Sequence, residues 1–125
     1  IDDESQIRSM LRLMLERVGY EVIEAADGME GISQYRDNPA DLIITDLIMP
    51  NKDGIGMIIE LKKEFPQVKI IAMSGGGVNR PEGYLDGAQK LGATRTLTKP
   101  IDRDEMINAV KETLKTDTAS AEPSA

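Results

Sequence analysis

A chain of 125 residues, 40% of them hydrophobic, has room for one core. With Tyr20, Tyr35, Phe65 and Tyr84 as its only aromatics, that core must be built from Ile, Leu, Val and Met. A formal charge of −7, from 15 basic against 22 acidic residues, argues against direct binding to nucleic acid or an anionic membrane, and the absence of cysteine excludes disulfides, thiolate nucleophiles and thiolate metal sites. No apolar run is long enough to span a bilayer, and the first residues are acids rather than the basic and apolar stretch of a signal peptide, so the expected location is cytoplasmic.

In chain order, Ser5 to Val18 carries Ile7, Met10, Leu11, Met14 and Val18 at helical spacing, and Gly19 stands where a left-handed stop belongs. Glu21 to Ala25 reads as a short strand, Asp27-Gly28 as a turn, and Met29 to Arg36 as a second helix ended by Asn38-Pro39. Leu42-Ile43-Ile44-Thr45 is apolar and β-branched up to Asp46, the pattern of a strand buried on both faces. Pro50 and Asp53-Gly54 turn the chain into a helix over Ile55 to Phe65, which Pro66 closes ahead of a strand from Val68 to Met73. After a glycine-rich loop, the pattern predicts a helix from Pro81 to Leu91, a strand from Arg95 to Thr98, and a last helix from about Asp102 to Leu114.

Strand and helix alternating at this period predict βα units: an α/β, doubly wound parallel sheet with helices on both faces. Residues 1–114 are expected to form this domain. Residues 115–125, small and polar with one proline, are expected to be a flexible tail or linker.

Ligands of such sheets bind beyond the carboxyl ends of the strands. There the sequence places Asp2 and Asp3, then Asp46, Ser74 and Lys99. Three carboxylates in one crevice repel each other, which either protonation or a hard cation relieves; a divalent ion is the simpler answer, and Mg²⁺ needs only oxygen ligands. A lysine charge and a hydroxyl complete a site for a tetrahedral dianion, and a carboxylate can itself attack phosphorus, which makes Asp46 the candidate nucleophile. Taken singly, these residues have plainer readings: an acidic helix start, a turn aspartate, a surface lysine. Gly75-Gly76-Gly77 lacks the Lys-Ser/Thr of a phosphate loop, and Gly54-Ile55-Gly56 lacks the strand and third glycine of a dinucleotide site.

The ordered set Asp2-Asp3-Glu4, Asp46-Leu47-Ile48-Met49-Pro50 with Asp53-Gly54, Ser74, and Lys99-Pro100 resembles the receiver domain of two-component response regulators over nearly the whole chain. The resemblance implies a flavodoxin-like (βα)5 sandwich with strand order 2-1-3-4-5. It implies that Asp46 takes a phosphoryl group from the phosphohistidine of a sensor histidine kinase or phosphotransfer protein. Asp3, Asp46 and the Ile48 carbonyl would bind Mg²⁺, Asp2 acting mostly through water, while Ser74 and Lys99 would hold phosphoryl oxygens. A cis Lys99-Pro100 bond would help aim the lysine. Phosphorylation would change partner binding, with homodimerisation as one outcome, and the chain would be a signalling module rather than an enzyme.

Three departures stand out. Thr96 occupies the switch position where receivers commonly carry an aromatic, so either Ser74 and Thr96 would relay the signal without aromatic burial, or the signal would run through the glycine loop instead. Ile48 and Gly76 flank the approach of hydrolytic water. Only Ile1 precedes the acidic pair, so the family's first strand is largely missing, and upstream residues are expected; a folded monomer with the intact mass of these residues alone would refute this. A Mg²⁺-dependent phosphatase is the enzyme alternative, but its second aspartate would stand where Ile48 is. A docking scaffold without phosphorylation is the third reading, disfavoured by the intact acid set.

Overall fold

The computed structural model describes residues 1–47, 54–75, 89 and 92–121. Three strands, β1 (Ile43–Asp46), β2 (Ile70–Gly75) and β3 (Arg95–Lys99), pair in parallel in the order β1-β2-β3. Four long helices accompany them: α1 (Ser5–Arg17), α2 (Gly28–Asp37), α3 (Gly54–Glu64) and α4 (Arg103–Ala121).

The strands are near-continuous apolar runs because both faces of the sheet are covered. Side chains alternate along β2: Ile70 and Ala72 pack with Ile32 of α2 and Met57, Ile58 and Leu61 of α3. Ile71 and Met73 pack on the other face with Leu11, Met14 and Leu15 of α1 and Met106, Ile107 and Val110 of α4. All four β2 residues are fully buried. The result is the expected three-layer α/β sandwich, with an aliphatic and methionine core on each side.

Local chemistry sets the helix ends. The Asp27 side chain accepts from Glu30 N at 2.9 Å, and the Asp102 side chain accepts from Glu105 N at the same distance, so each satisfies a backbone donor in the first turn of α2 or α4. Gly19, at φ 99°, turns the chain out of α1 in the left-handed region that other residues resist.

Two expectations are corrected. Glu21–Ala25 is not a strand, despite its β-branched pattern. A strand needs a ladder of bonds to a neighbour, and among the described residues the first two lie beside it with one such bond: Asp2 N donates to Ala25 O at 3.2 Å. Those residues also bond to β1, where Ile1 N donates to Ile44 O at 2.6 Å and Asp46 N to Ile1 O at 2.9 Å. This short stub therefore lies between Ala25 and β1, the place that the order 2-1-3-4-5 assigns to a first strand. The other correction concerns the last helix, which continues beyond Leu114 to Ala121, through residues expected to be a flexible tail. Nothing between Lys115 and Ala121 is a glycine or proline, so no residue there breaks the helical hydrogen bonding.

The Ile48–Met49–Pro50 turn, Asp53, the loop from Gly76 and most of the expected helix from Pro81 to Leu91 lie outside the described residues; Gln89, which is helical, is described. Among the described residues no helix is long and apolar enough to cross a membrane.

Candidate functional site

The carboxyl ends of β1, β2 and β3 bring polar side chains to one rim of the sheet. Asp46 is the last residue of β1 and is level with Met73; one step further along, Ser74 of β2 lies opposite Thr98, and Gly75 opposite Lys99, the last residue of β3. Asp2 reaches the same rim because Ile1 and Asp2 run alongside β1. Carboxylate oxygens of Asp2, Asp3 and Asp46 all lie within 4.8 Å of one another.

The three acids differ in exposure. Asp2 is fully buried and Asp46 is 7% exposed, while Asp3 faces solvent. Lys99 is inserted among them, with Nζ 3.0 Å from Asp2 Oδ2, 3.5 Å from Asp46 Oδ1 and 3.9 Å from Glu4 Oε1. The peptide bond from Lys99 to Pro100 is cis, as the resemblance implied. Asp46 Oδ1 also accepts from Leu47 N at 3.0 Å, and among the described residues no hydrogen bond engages Oδ2. One carboxylate oxygen is thus held in place, while the other has no partner among the described residues.

Electrostatics follow from this crowding. Burial is the main force raising the Asp46 pKa above its ordinary value; Asp2 adds to it, and Lys99 and the Leu47 N–H offset only part. Burial alone would lower Lys99, but its hydrogen bond to Asp2 and the charges of Asp46, Asp2 and Glu4 outweigh that, and the lysine is held above its usual value. One lysine facing three carboxylates leaves the cluster net negative, which suits a divalent cation bound by oxygen.

Ser74 is buried at the rim and Thr96, one strand over and paired with Ala72, is half-buried. The structure therefore brings Asp2, Asp3, Asp46 and Lys99 together, sets Ser74 on the same rim, and holds Thr96 two residues further back along β3. The Ile48 carbonyl lies outside the described residues.

Two residues that sequence reasoning passed over help to build the site. Arg8 of α1 donates from Nη1 to the Asp2 carbonyl at 2.7 Å, pinning the backbone behind that carboxylate. Gly54, read only as part of a turn, donates to Leu47 O at 2.8 Å; a Cβ there would run into the Asp46 carbonyl oxygen and come within 2.6 Å of Leu47 Cα. The start of α3 can close on the end of β1 only because position 54 lacks a side chain. The Asp-Gly pair carried that signal, though it looked like ordinary turn chemistry.

A sheet rim of this composition on a doubly wound fold defines an acidic acceptor site of the receiver type. The chain belongs to the response regulator receiver domain family, whose model matches residues 1–111. It is 31% identical over 115 residues to the chemotaxis protein CheY of Bacillus subtilis, covering 91% of this chain and 93% of CheY. It is 34% identical over 117 residues to the transcriptional regulatory protein SrrA of Staphylococcus aureus, covering 92% of this chain but 46% of SrrA, so it spans about half of that relative. A crystal structure of a response regulator receiver domain protein from Clostridium thermocellum superposes with a TM-score of 0.86 at 30% identity, covering 94% of this chain and 93% of the other. The function of the domain is that of its family: it is a phosphoacceptor module of two-component signalling.

Proposed function

We propose that Asp46 is the phosphoacceptor, and that it takes its phosphoryl group from the phosphohistidine of a sensor histidine kinase or phosphotransfer protein. The observation that carries this reading is the buried Asp46 carboxylate, fixed through Oδ1 by Leu47 N and Lys99 and gathered with two further acids within 4.8 Å. In the transfer, an Asp46 oxygen forms a bond to phosphorus as the phosphorus–nitrogen bond breaks and its electron pair stays on the imidazole. Lys99 stabilises the added charge on the phosphoryl oxygens, and Ser74 donates a hydrogen bond to one of them. Asp3 and Asp46 would hold Mg²⁺ directly, together with the Ile48 carbonyl, and Asp2 would hold it mostly through water. Bound Mg²⁺ supplies the positive charge that lets a dianion approach three carboxylates.

The module signals by changing what it binds, rather than by turning over a substrate. Ile48 stands where a phosphatase of this chemistry would place its general acid. Ser74 and Thr96 form the switch, and phosphorylation alters the affinity of the domain for a partner or a second copy. The acidic balance speaks against direct contact with nucleic acid, and the cytoplasm, where kinases act, is the fitting location. The domain covers residues 1–114, and α4 continues from it to Ala121.

Incubation with Mg²⁺ and acetyl phosphate, followed by mass spectrometry, tests the assignment. One phosphoryl group should add to the unsubstituted chain, and none to Asp46→Asn or in the presence of a chelator. Uptake that persists in Asp46→Asn would refute Asp46 as acceptor, and rapid multiple turnover of a phosphomonoester would favour an enzyme. Beryllofluoride with Mg²⁺, followed by sedimentation, then reads whether the activated form dimerises.

A further inference from the structure

The face of β1 that packs on α3 holds a polar group that neither the aliphatic core nor the acidic rim accounts for. Thr45 is fully buried. By strand alternation its side chain shares a face with Ile43 and Leu47, which pack with Met57, Ile58 and Leu61 of α3. The strand residues of that cluster, Ile43, Ile70 and Ala72, are aliphatic, and a valine would fill position 45 as well. A hydroxyl placed there costs free energy unless it is hydrogen-bonded. It has one use in the structure: Thr45 Oγ1 donates to the Asp46 carbonyl at 2.8 Å.

That carbonyl is one end of the peptide group joining Asp46 to Leu47, and the other end is the N–H that orients the acceptor. Leu47 N donates to Met73 O at 3.0 Å, in line with the β1–β2 ladder, and to Asp46 Oδ1 at the same distance. One N–H serves both oxygens only while the peptide plane keeps its tilt. Because a peptide group is planar, turning the carbonyl turns the N–H with it. The bonds to β2 do not hold the carbonyl: successive residues of a parallel strand face alternate sides, and Asp46, whose N–H goes to Ile1 O, faces away from β2. Position 54 of α3 cannot hold it with a side chain either, since a Cβ there would already run into the same oxygen. We propose that Thr45 is a positioning residue for phosphoryl transfer: its hydroxyl holds the 46–47 peptide group through the Asp46 carbonyl, and so keeps Oδ1 of the acceptor on Leu47 N and facing Lys99. Without the hydroxyl the plane can rock toward the bond to Met73, leaving Asp46 Oδ1 a poorer donor and the carboxylate less time aligned for attack. The inference rests on Asp46 as the phosphoacceptor.

The test compares Thr45→Val, which keeps the branched shape without the hydroxyl, with Thr45→Ser, which keeps the hydroxyl without the methyl, and runs Asp46→Asn beside them. Uptake from acetyl phosphate at saturating Mg²⁺ should slow about fivefold in Thr45→Val, the scale of one hydrogen bond, and stay within about twofold of the unsubstituted chain in Thr45→Ser. In metal-free protein the Leu47 amide proton resonance should move in Thr45→Val and keep its place in Thr45→Ser. A residue that only fills the core would give the reverse order, with Thr45→Ser slowed and Thr45→Val unchanged, and that result would overturn the proposal. Slow uptake by Thr45→Ser would overturn it even if Thr45→Val did not fold. Slowing in Thr45→Val with an unmoved Leu47 amide would overturn it too, because the effect would not pass through that peptide group. Any of these results with Asp46→Asn still inert leaves the acceptor assignment standing, whereas uptake by Asp46→Asn would remove both.

Discussion

The bodies of the strands and their carboxyl rim are built from the same three segments and obey opposite rules. Along β2, Ile70, Ile71, Ala72 and Met73 are fully buried between two helical layers, with hydrogen bonds to a strand on either side. One step further, the rim buries Asp46 and Ser74 and inserts Lys99, groups that leave water at a cost. The strand bodies stabilise the fold, and the rim draws on that stability to hold carboxylates in a reactive arrangement. The acidic rim thus sits at the ends of strands that are hydrogen-bonded into the sheet.

Substitutions can break this comparison from either side. The largest stability effect should come from the strand body: Ile71→Ala leaves a cavity between α1 and α4 and should cost about 2–5 kcal/mol in chemical denaturation. Phosphoryl uptake at saturating donor should survive wherever the variant remains folded. At the rim, Lys99→Ala should slow uptake by about 10²-fold, the scale of losing one charge-stabilising group, when followed by mass spectrometry. A slowing no greater than that of Ile71→Ala would mean that the lysine is structural.

The smallest effect has the opposite sign. Because burial raises the Asp46 pKa in the fold, the folded state holds this proton more tightly than the unfolded state does. As pH rises from the ordinary aspartate value through the raised one, Asp46 therefore lowers stability, and the loss persists at neutral pH. In metal-free buffer Asp46→Asn should be more stable than the unsubstituted chain at pH 7, and the difference should shrink in acid. Denaturant midpoints at several pH values read this directly, and a destabilised Asp46→Asn at neutral pH would contradict it. Mg²⁺ should narrow the gap by favouring the ionised carboxylate.

Much of this was legible in the sequence, because the relevant signals are local. The apolar run ending at Asp46, the helical spacing from Ser5 and the stop at Gly19 each depend on residues a few positions apart, and the structure reproduces them. The rim set of Asp2, Asp3, Asp46 and Lys99 could be read because strand ends in a doubly wound sheet converge at one edge whatever the helices between them. Glu21–Ala25 failed for a physical reason: β propensity describes a fit to neighbours, and among the described residues its backbone takes one bond from the adjacent segment, Asp2 N to Ala25 O. The run-on of α4 to Ala121 failed because composition measures what a segment can bury, while a helix continues along its own hydrogen bonds until something stops it.

What the sequence determined by itself was most of the described strands and helices, the family and the identity of the acids, since these reside in residue type and order. Only the tertiary structure decided that Asp2 is wholly buried while Asp3 is exposed, and that Lys99 lies closer to Asp2 than to Asp46. It also decided that Gly54 must lack a side chain for α3 to meet β1. These are matters of distance between segments far apart in the chain, and distance is set by packing.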